Sequence, residues 1–430
     1  MSDYLATVNA GVSVLLIIIV GYVCTWLKIV PAKDFGTLNL FTAKCCFFFM
    51  TFRSLAGKDK DVLDFRPLAI SVLMSLTLYL IFAIIIFLPF NDSFGLYISI
   101  VFPTVYVNYF ISGLPIFLAL WDESETAVIT VILIANDLMC SPIFLTLAKI
   151  HELRIQRQKR KTEQMEMKSI DDNIEGDSYS TTSSELESSS ISQKQTTEKN
   201  NTSNFNNCKN NTTIHQNHTA LSETHKNHDQ NVNITESDSI EEESAEINID
   251  KKKKKDKINN NDDDDDHYIK KLLLEILNRL IHNMFLVGIV FGMIYLAITS
   301  KTCTFLKELM NMLGDCVLPF ALFNVGAFLS TQSLIACHWA EALVSLIGRL
   351  ILGPFLAGIY CYALGFPGRL SQQCIILASM PTAATCFTMT DSAGIGSGVS
   401  STMIMWSAVF MVPVTVFWMW ILEVTKLFEE

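Results

Sequence analysis

Two long apolar blocks, residues 1–149 and 272–424, bracket a polar tract at 150–267, and runs inside each block reach the roughly 18 apolar residues that mark a membrane-crossing helix. Such runs confine the fold sharply. With no water in the bilayer core, every backbone donor and acceptor must be satisfied within the chain, and runs of this length do so as helices. At about 20 residues per crossing, the first block divides into 8–27, 38–55, 67–90, 96–121 and 126–150. The second divides into 272–299, 305–329, 339–364, 371–390 and 399–424. The expectation is an all-α membrane protein of about ten transmembrane helices. Its parts are an N-terminal five-helix repeat over 1–150, a disordered linker over 151–268 and a C-terminal five-helix repeat over 269–430. An odd number of crossings before the linker gives the halves opposite orientations, the arrangement of an inverted repeat.

Half of the 430 residues are hydrophobic, yet the net charge is -11, and the acidity comes mainly from the middle tract. That tract cannot bury enough apolar surface to offset its ordering entropy, so it is expected to be disordered and open to cytosolic partners or kinases. Arg154, Arg157, Lys159, Arg160 and Lys161 flank it on one side and Lys270 and Lys271 on the other, which places both linker ends in the cytosol. The plasma membrane is the expected location, with the endoplasmic reticulum or another endomembrane as the alternative. The start lacks a basic n-region, so 8–27 reads as a retained span and not a signal peptide. Sequons at Asn211 and Asn233, the pairs His215/His218 and His225/His228, and the block from Lys251 to Lys257 read as low-complexity composition; the block could also touch anionic lipid or a trafficking partner. The eleven cysteines sit mostly in apolar runs without a CxxC pair, as small buried hydrophobes. No metal or cofactor is expected, and no nucleic-acid partner.

One apolar run is interrupted. Between Pro103 and Pro115 lie two prolines, Gly113 and Asn108. Missing donors at the prolines and a poor helix former at Gly113 leave carbonyls that must be satisfied by protein or a watery cavity. Broken helices of this kind are where secondary transporters bind substrate. The fourth run of the second block has a matching interruption at Pro381, Thr382 and Thr385.

Gly394-Ile395-Gly396-Ser397-Gly398 lacks the Lys-Ser/Thr end of a phosphate-binding loop, and no HExxH, nucleophile elbow or kinase signature occurs. An ATP-driven pump and an enzyme are therefore not expected; gradient-driven transport remains. Asn108 can donate to a substrate carboxylate or brace the break. Gly113 and Pro115 shape the break so that the next half-helix presents free N–H groups, which favours an anion. Thr382 and Thr385 can satisfy backbone or offer donors. Lys44, well inside the second span, either faces a cavity that suits an anion or snorkels. Asn136 and Asp137 sit together in the fifth span, where the acid could relay protons or pair with Lys44. Asp315 and Asn324 fall on a similar helix side, with Asp315 a proton or ion-pair site, while Glu341 and Arg349 are expected to pair across packed helices. Arg53, nearer a span end, is expected to snorkel.

These residues together resemble the auxin efflux carrier family of membrane transport proteins. Asn108 to Pro115 is similar to the family's Asn-x-x-x-x-Gly-Ile-Pro, Asp315 to Gly326 resembles its seventh span, Arg349 to Pro354 its Arg-x-x-x-Gly-Pro, and Met380-Pro381 through Pro413 its ninth and tenth spans. The resemblance places Asn136 on a polar position of the substrate cavity. It implies a five-plus-five inverted-repeat carrier, usually dimeric, whose fourth and ninth spans cross beside an organic anion, with auxins or small carboxylates as substrates. Phe48 and Cys386 stand where the family carries prolines. The function expected is export of small organic anions, auxin-like or other carboxylates, by alternating access. The alternative is a non-transporting scaffold or receptor that recruits cytosolic partners through its linker.

Overall fold

Apolar composition converts into helix throughout: among the described residues every regular element is helical, and the one β-type pairing is an isolated antiparallel bridge between Val107 and Thr382. The computed structural model describes residues 2–31, 34–56, 64–179, 262–299, 302–426 and 428. Seven helices are long and apolar enough to cross a bilayer: Tyr4–Trp26, Phe35–Leu55, Arg66–Phe87, Glu123–Met165, Thr304–Leu329, Trp339–Ala363 and Ser397–Thr425. A bent pair, Leu273–Ile281 and Met284–Ile298, meets at 58° and makes a further crossing if taken as one span. The fourth and ninth segments are the broken ones. Ser93–Val105 is followed by Gly113–Leu120, and Gly368–Ala378 by Thr385–Ser392. At 1.5 Å per residue each half is too short to cross a hydrocarbon core of about 30 Å by itself.

With each broken pair counted as one segment, five helical segments precede the polar tract and five follow it among the described residues. Two boundaries differ. The sixth segment, expected as one helix, bends at Asn283, whose side chain accepts from the Phe285 N–H at 3.0 Å and caps the second piece. The fifth does not stop at residue 150; its helix Ser141–Tyr179 runs on into the polar tract. Charged and amide pairs one turn apart sustain it there, Lys149 with Glu152 at 2.7 Å and Gln156 with Glu152 at 3.0 Å. The sequons, the paired histidines and the block from Lys251 to Lys257 lie outside the described residues.

Residues Met1–Arg160 and His267–Glu430 form one compact unit, so the two apolar halves share a core. Lys161–Asp266 is a separate unit. Glycines set the closest approaches. The first and seventh spans meet backbone to backbone, because a Cβ at Gly21 would strike the Phe323 carbonyl and one at Gly326 the Ile18 carbonyl. The second span packs against the sixth and seventh, and the third against the fifth and eighth. Three spans also carry a single π-helical turn, at Thr42–Cys46, Asn136–Cys140 and Gly348–Leu352, and each turn holds one charged residue: Lys44, Asp137 and Arg349. Such turns re-aim side chains that a regular helix would place elsewhere, and they concentrate at functional sites.

Candidate functional site

The two breaks meet. Where the fourth segment leaves its first half-helix, the Asn108 N–H donates to the Pro381 carbonyl at 2.8 Å, and the Ala383 N–H donates to the Tyr106 carbonyl at 3.1 Å. These bonds form the bridge between Val107 and Thr382. Two carbonyls at and beyond the C-terminal end of Ser93–Val105 are answered by side chains. Thr382 Oγ1 donates to the Pro103 carbonyl at 2.8 Å, and Asn136 Nδ2 donates to the Val107 carbonyl at 2.6 Å. An unpaired carbonyl at this depth would cost several kcal/mol, roughly, so the crossing is held by its own hydrogen-bond accounting.

Arg349 completes the accounting. Its guanidinium is fully buried, and Nη1 donates to the Thr104 carbonyl at 2.9 Å while Nη2 donates to the Ala378 carbonyl. Both acceptors lie at the C-terminal ends of the half-helices Ser93–Val105 and Gly368–Ala378. The negative ends of two helix dipoles thus face one cation. The pairing expected with Glu341 is replaced by this double cap, because the π-helical turn at Gly348–Leu352 turns Arg349 inward to the crossing.

A cavity of about 200 Å3 opens beside the crossing, walled by Phe47, Asn108, Phe110, Asn136, Phe285 and Thr385 among others. Two larger cavities adjoin it. One of about 450 Å3 reaches Asn39, Asn324 and Thr388; the other, of about 460 Å3, reaches Lys44, Asp137, Glu275, Arg279 and His282. Thr385 lines all three, at the first turn of Thr385–Ser392, so the positive end of that half-helix faces the shared space. Asn136 is 1% exposed, and its Oδ1 has no hydrogen-bond partner. The bond from Nδ2 to a carbonyl fixes the amide's orientation, leaving a buried acceptor beside the cavity that requires a donor.

Asn108 lines the cavity while bracing the break: Nδ2 donates to Ser112 Oγ at 3.0 Å, and Oδ1 accepts from the Ile111 N–H at 3.2 Å. Asp137 accepts from the Tyr106 hydroxyl at 3.1 Å, with the Asn283 amide and Arg279 guanidinium close by. Lys44 faces the same cavity as Asp137 but donates to the His282 carbonyl at 3.4 Å. Of the two roles open to Asp137, a proton relay or a pair with Lys44, the pair is not formed; both residues line that cavity.

Other sequence-selected residues serve the frame. Pro381 and Thr382 are buried in the bridge, and Gly113 starts its half-helix against Leu377 and Met380, where a Cβ would crowd both. Pro115 lies in the first turn of the same half-helix. Asp315 is ion-paired to Arg53 at 2.6 Å, with its side chain 67% exposed, while Asn324 lines the cavity. Asp315→Asn is expected to change stability by less than about 1 kcal/mol, as for other exposed pairs; a larger loss in detergent thermal unfolding would contradict that. Cys386 donates its N–H to the Ala383 carbonyl at 3.0 Å, a bond that a proline there would forfeit. Among the described residues no His, Cys, Asp and Glu cluster could hold a metal ion.

Sequence reasoning missed Tyr106, Arg279 and Asn283 at the cavity and the inward turn of Arg349. The signal present was the polar run Asn278, Arg279, His282 and Asn283 at the head of an apolar segment.

The family whose model is described as "Membrane transport protein" matches residues 7–419. The chain is 27% identical over 110 residues to "Auxin efflux carrier component 3a" of Oryza sativa subsp. japonica, covering 25% of this chain and 18% of that protein. It is 23% identical over 158 residues to "Auxin efflux carrier component 8" of Arabidopsis thaliana, covering 36% and 43%. It is 29% identical over 107 residues to "Probable auxin efflux carrier component 5a" of Oryza sativa subsp. japonica, covering 25% and 30%. The matched stretches thus span less than half the length of each of these relatives.

Proposed function

The chain belongs to the membrane transport protein family, as an integral multi-pass membrane protein, and from that premise we propose that it is a secondary carrier of small organic anions working by alternating access. The carrying observation is Asn136, which lines the cavity where the two broken segments meet and whose buried Oδ1 has no hydrogen-bond partner. A buried acceptor without a partner costs about 1–3 kcal/mol, which a ligand's O–H or N–H would recover. The anionic half of the reading rests on the positive end of Thr385–Ser392 and on Lys44, Arg279 and His282 along the approach. Aromatic walls from Phe47, Phe110 and Phe285 suit an apolar body between these two polar ends.

A carboxylate that also bears a hydrogen-bond donor is therefore the substrate class, with auxin-like acids first to test because of what the relatives are named for. One of the cavities is lined by Glu275, Asn278, Arg279 and His282, at the start of the segment that follows the linker. With the linker in the cytosol, this is the state that loads from the cytosol, and export follows when the crossing pieces move against the rest. A homodimer in the plasma membrane is the assembly we propose.

The test is a screen of labelled carboxylates in proteoliposomes, repeated with Asn136→Ala. Flux is expected to fall roughly ten- to a hundredfold, the worth of one buried hydrogen bond to a charged or strongly polar partner. Unaltered flux at equal incorporation would move the site elsewhere. No flux from folded wild-type protein across the panel would favour the scaffold reading.

A further inference from the structure

The helix Asp262–Ile281 has two faces with different neighbours. At about 100° per residue, Glu275, Asn278, Arg279 and His282 fall on one side, and these four line the cavity that Lys44 and Asp137 also line. Leu273, Leu274, Leu277 and Ile281 fall on another, and each is 52–60% exposed. Beyond the bend, Phe291, Ile294 and Ile298 of the apolar helix Met284–Ile298 are likewise more than half exposed. Exposed apolar side chains on both pieces of one crossing are covered by lipid.

Length fixes its depth. The 15 residues of Met284–Ile298 span about 22 Å, short of a core of about 30 Å. Inclined at 58°, Leu273–Ile281 adds roughly 7 Å and completes the crossing. The leucines then sit in the outermost apolar layer on the linker side. Lys270 and Lys271, exposed less than one turn earlier, come to headgroup level.

We propose that the anionic lipid headgroups of the linker-side leaflet bind Lys270 and Lys271, and so hold residues 270–281 as an interfacial lid whose polar face sets the opening of the cavity mouth. Two lysines at an anionic surface each strengthen attachment about fivefold at low screening. A neutral leaflet holds the apolar row alone and lets the lid move. The lipid contact stands without the carrier reading; only its effect on access rests on that reading.

Hydrogen exchange with mass spectrometry tests the contact without any substrate, using the full chain in nanodiscs of phosphatidylcholine alone or with about one-third phosphatidylserine. Amides of 270–281 are expected to exchange at least about threefold more slowly with phosphatidylserine. That slowing should vanish in the exposed double variant Lys270→Gln/Lys271→Gln, while Met284–Ile298 stays equally protected. Equal exchange in both lipids would overturn the proposal and leave the helix held by the protein body. A slowing that survives the double variant would overturn the assignment to these lysines.

Discussion

Arg349→Ala should unfold the crossing. The substitution leaves the Thr104 and Ala378 carbonyls buried without donors, removes the cation facing two helix C-termini, and opens a void where the largest fully buried side chain stood. Two unsatisfied carbonyls at about 1–3 kcal/mol each, with a cavity contribution besides, amount to roughly 3–6 kcal/mol. Thermal unfolding in detergent is expected at a much lower temperature, with loss of monodisperse protein. Arg349→Lys keeps the charge but not the planar fork that reaches two carbonyls at once, so an intermediate loss is expected. An unchanged unfolding temperature for Arg349→Ala would show that the double cap does not hold the half-helices.

Gly326→Val should separate the first and seventh spans. Its Cβ would fall on the Ile18 carbonyl, and because that neighbour is backbone, no rotamer change relieves the clash. The helices must move apart, at a cost of about 3 kcal/mol or more in overpacking and lost dispersion contacts. Gly358→Ala is the matched control in the eighth span, where the added atom meets Ile375 at an ordinary 3.5 Å. The control should be neutral or stabilising by up to about 1 kcal/mol, since alanine is the better helix former. Equal unfolding temperatures for the two variants would refute the close approach.

Much of the site was legible because polar residues inside apolar runs are expensive and therefore conspicuous. Asn108, Asn136, Asp137, Thr385 and Lys44 all reach the cavity region, and Pro103, Gly113 and Pro381 mark the breaks. The partners were not legible. Lys44 and Asp137 were natural candidates for an ion pair, yet each takes a nearer partner, because π-helical turns at both positions shift the side chains from where a regular helix would aim them. Arg349 was expected, like Glu341, to pair across packed helices; its acceptors are instead backbone carbonyls of the fourth and ninth segments.

The sequence by itself determined that the chain is a helical membrane protein with a polar tract between two apolar blocks, and which two apolar segments are interrupted by proline. Those are local consequences of hydrophobic run length and of proline's missing donor, and they need no knowledge of what packs where. Only the tertiary structure decided what answers the broken backbone: a two-bond bridge, a threonine hydroxyl, an asparagine amide and one buried arginine. Hydrogen-bond satisfaction at a break is a demand that sequence announces, but the donors come from residues up to 279 positions away, and only the folded chain brings them together.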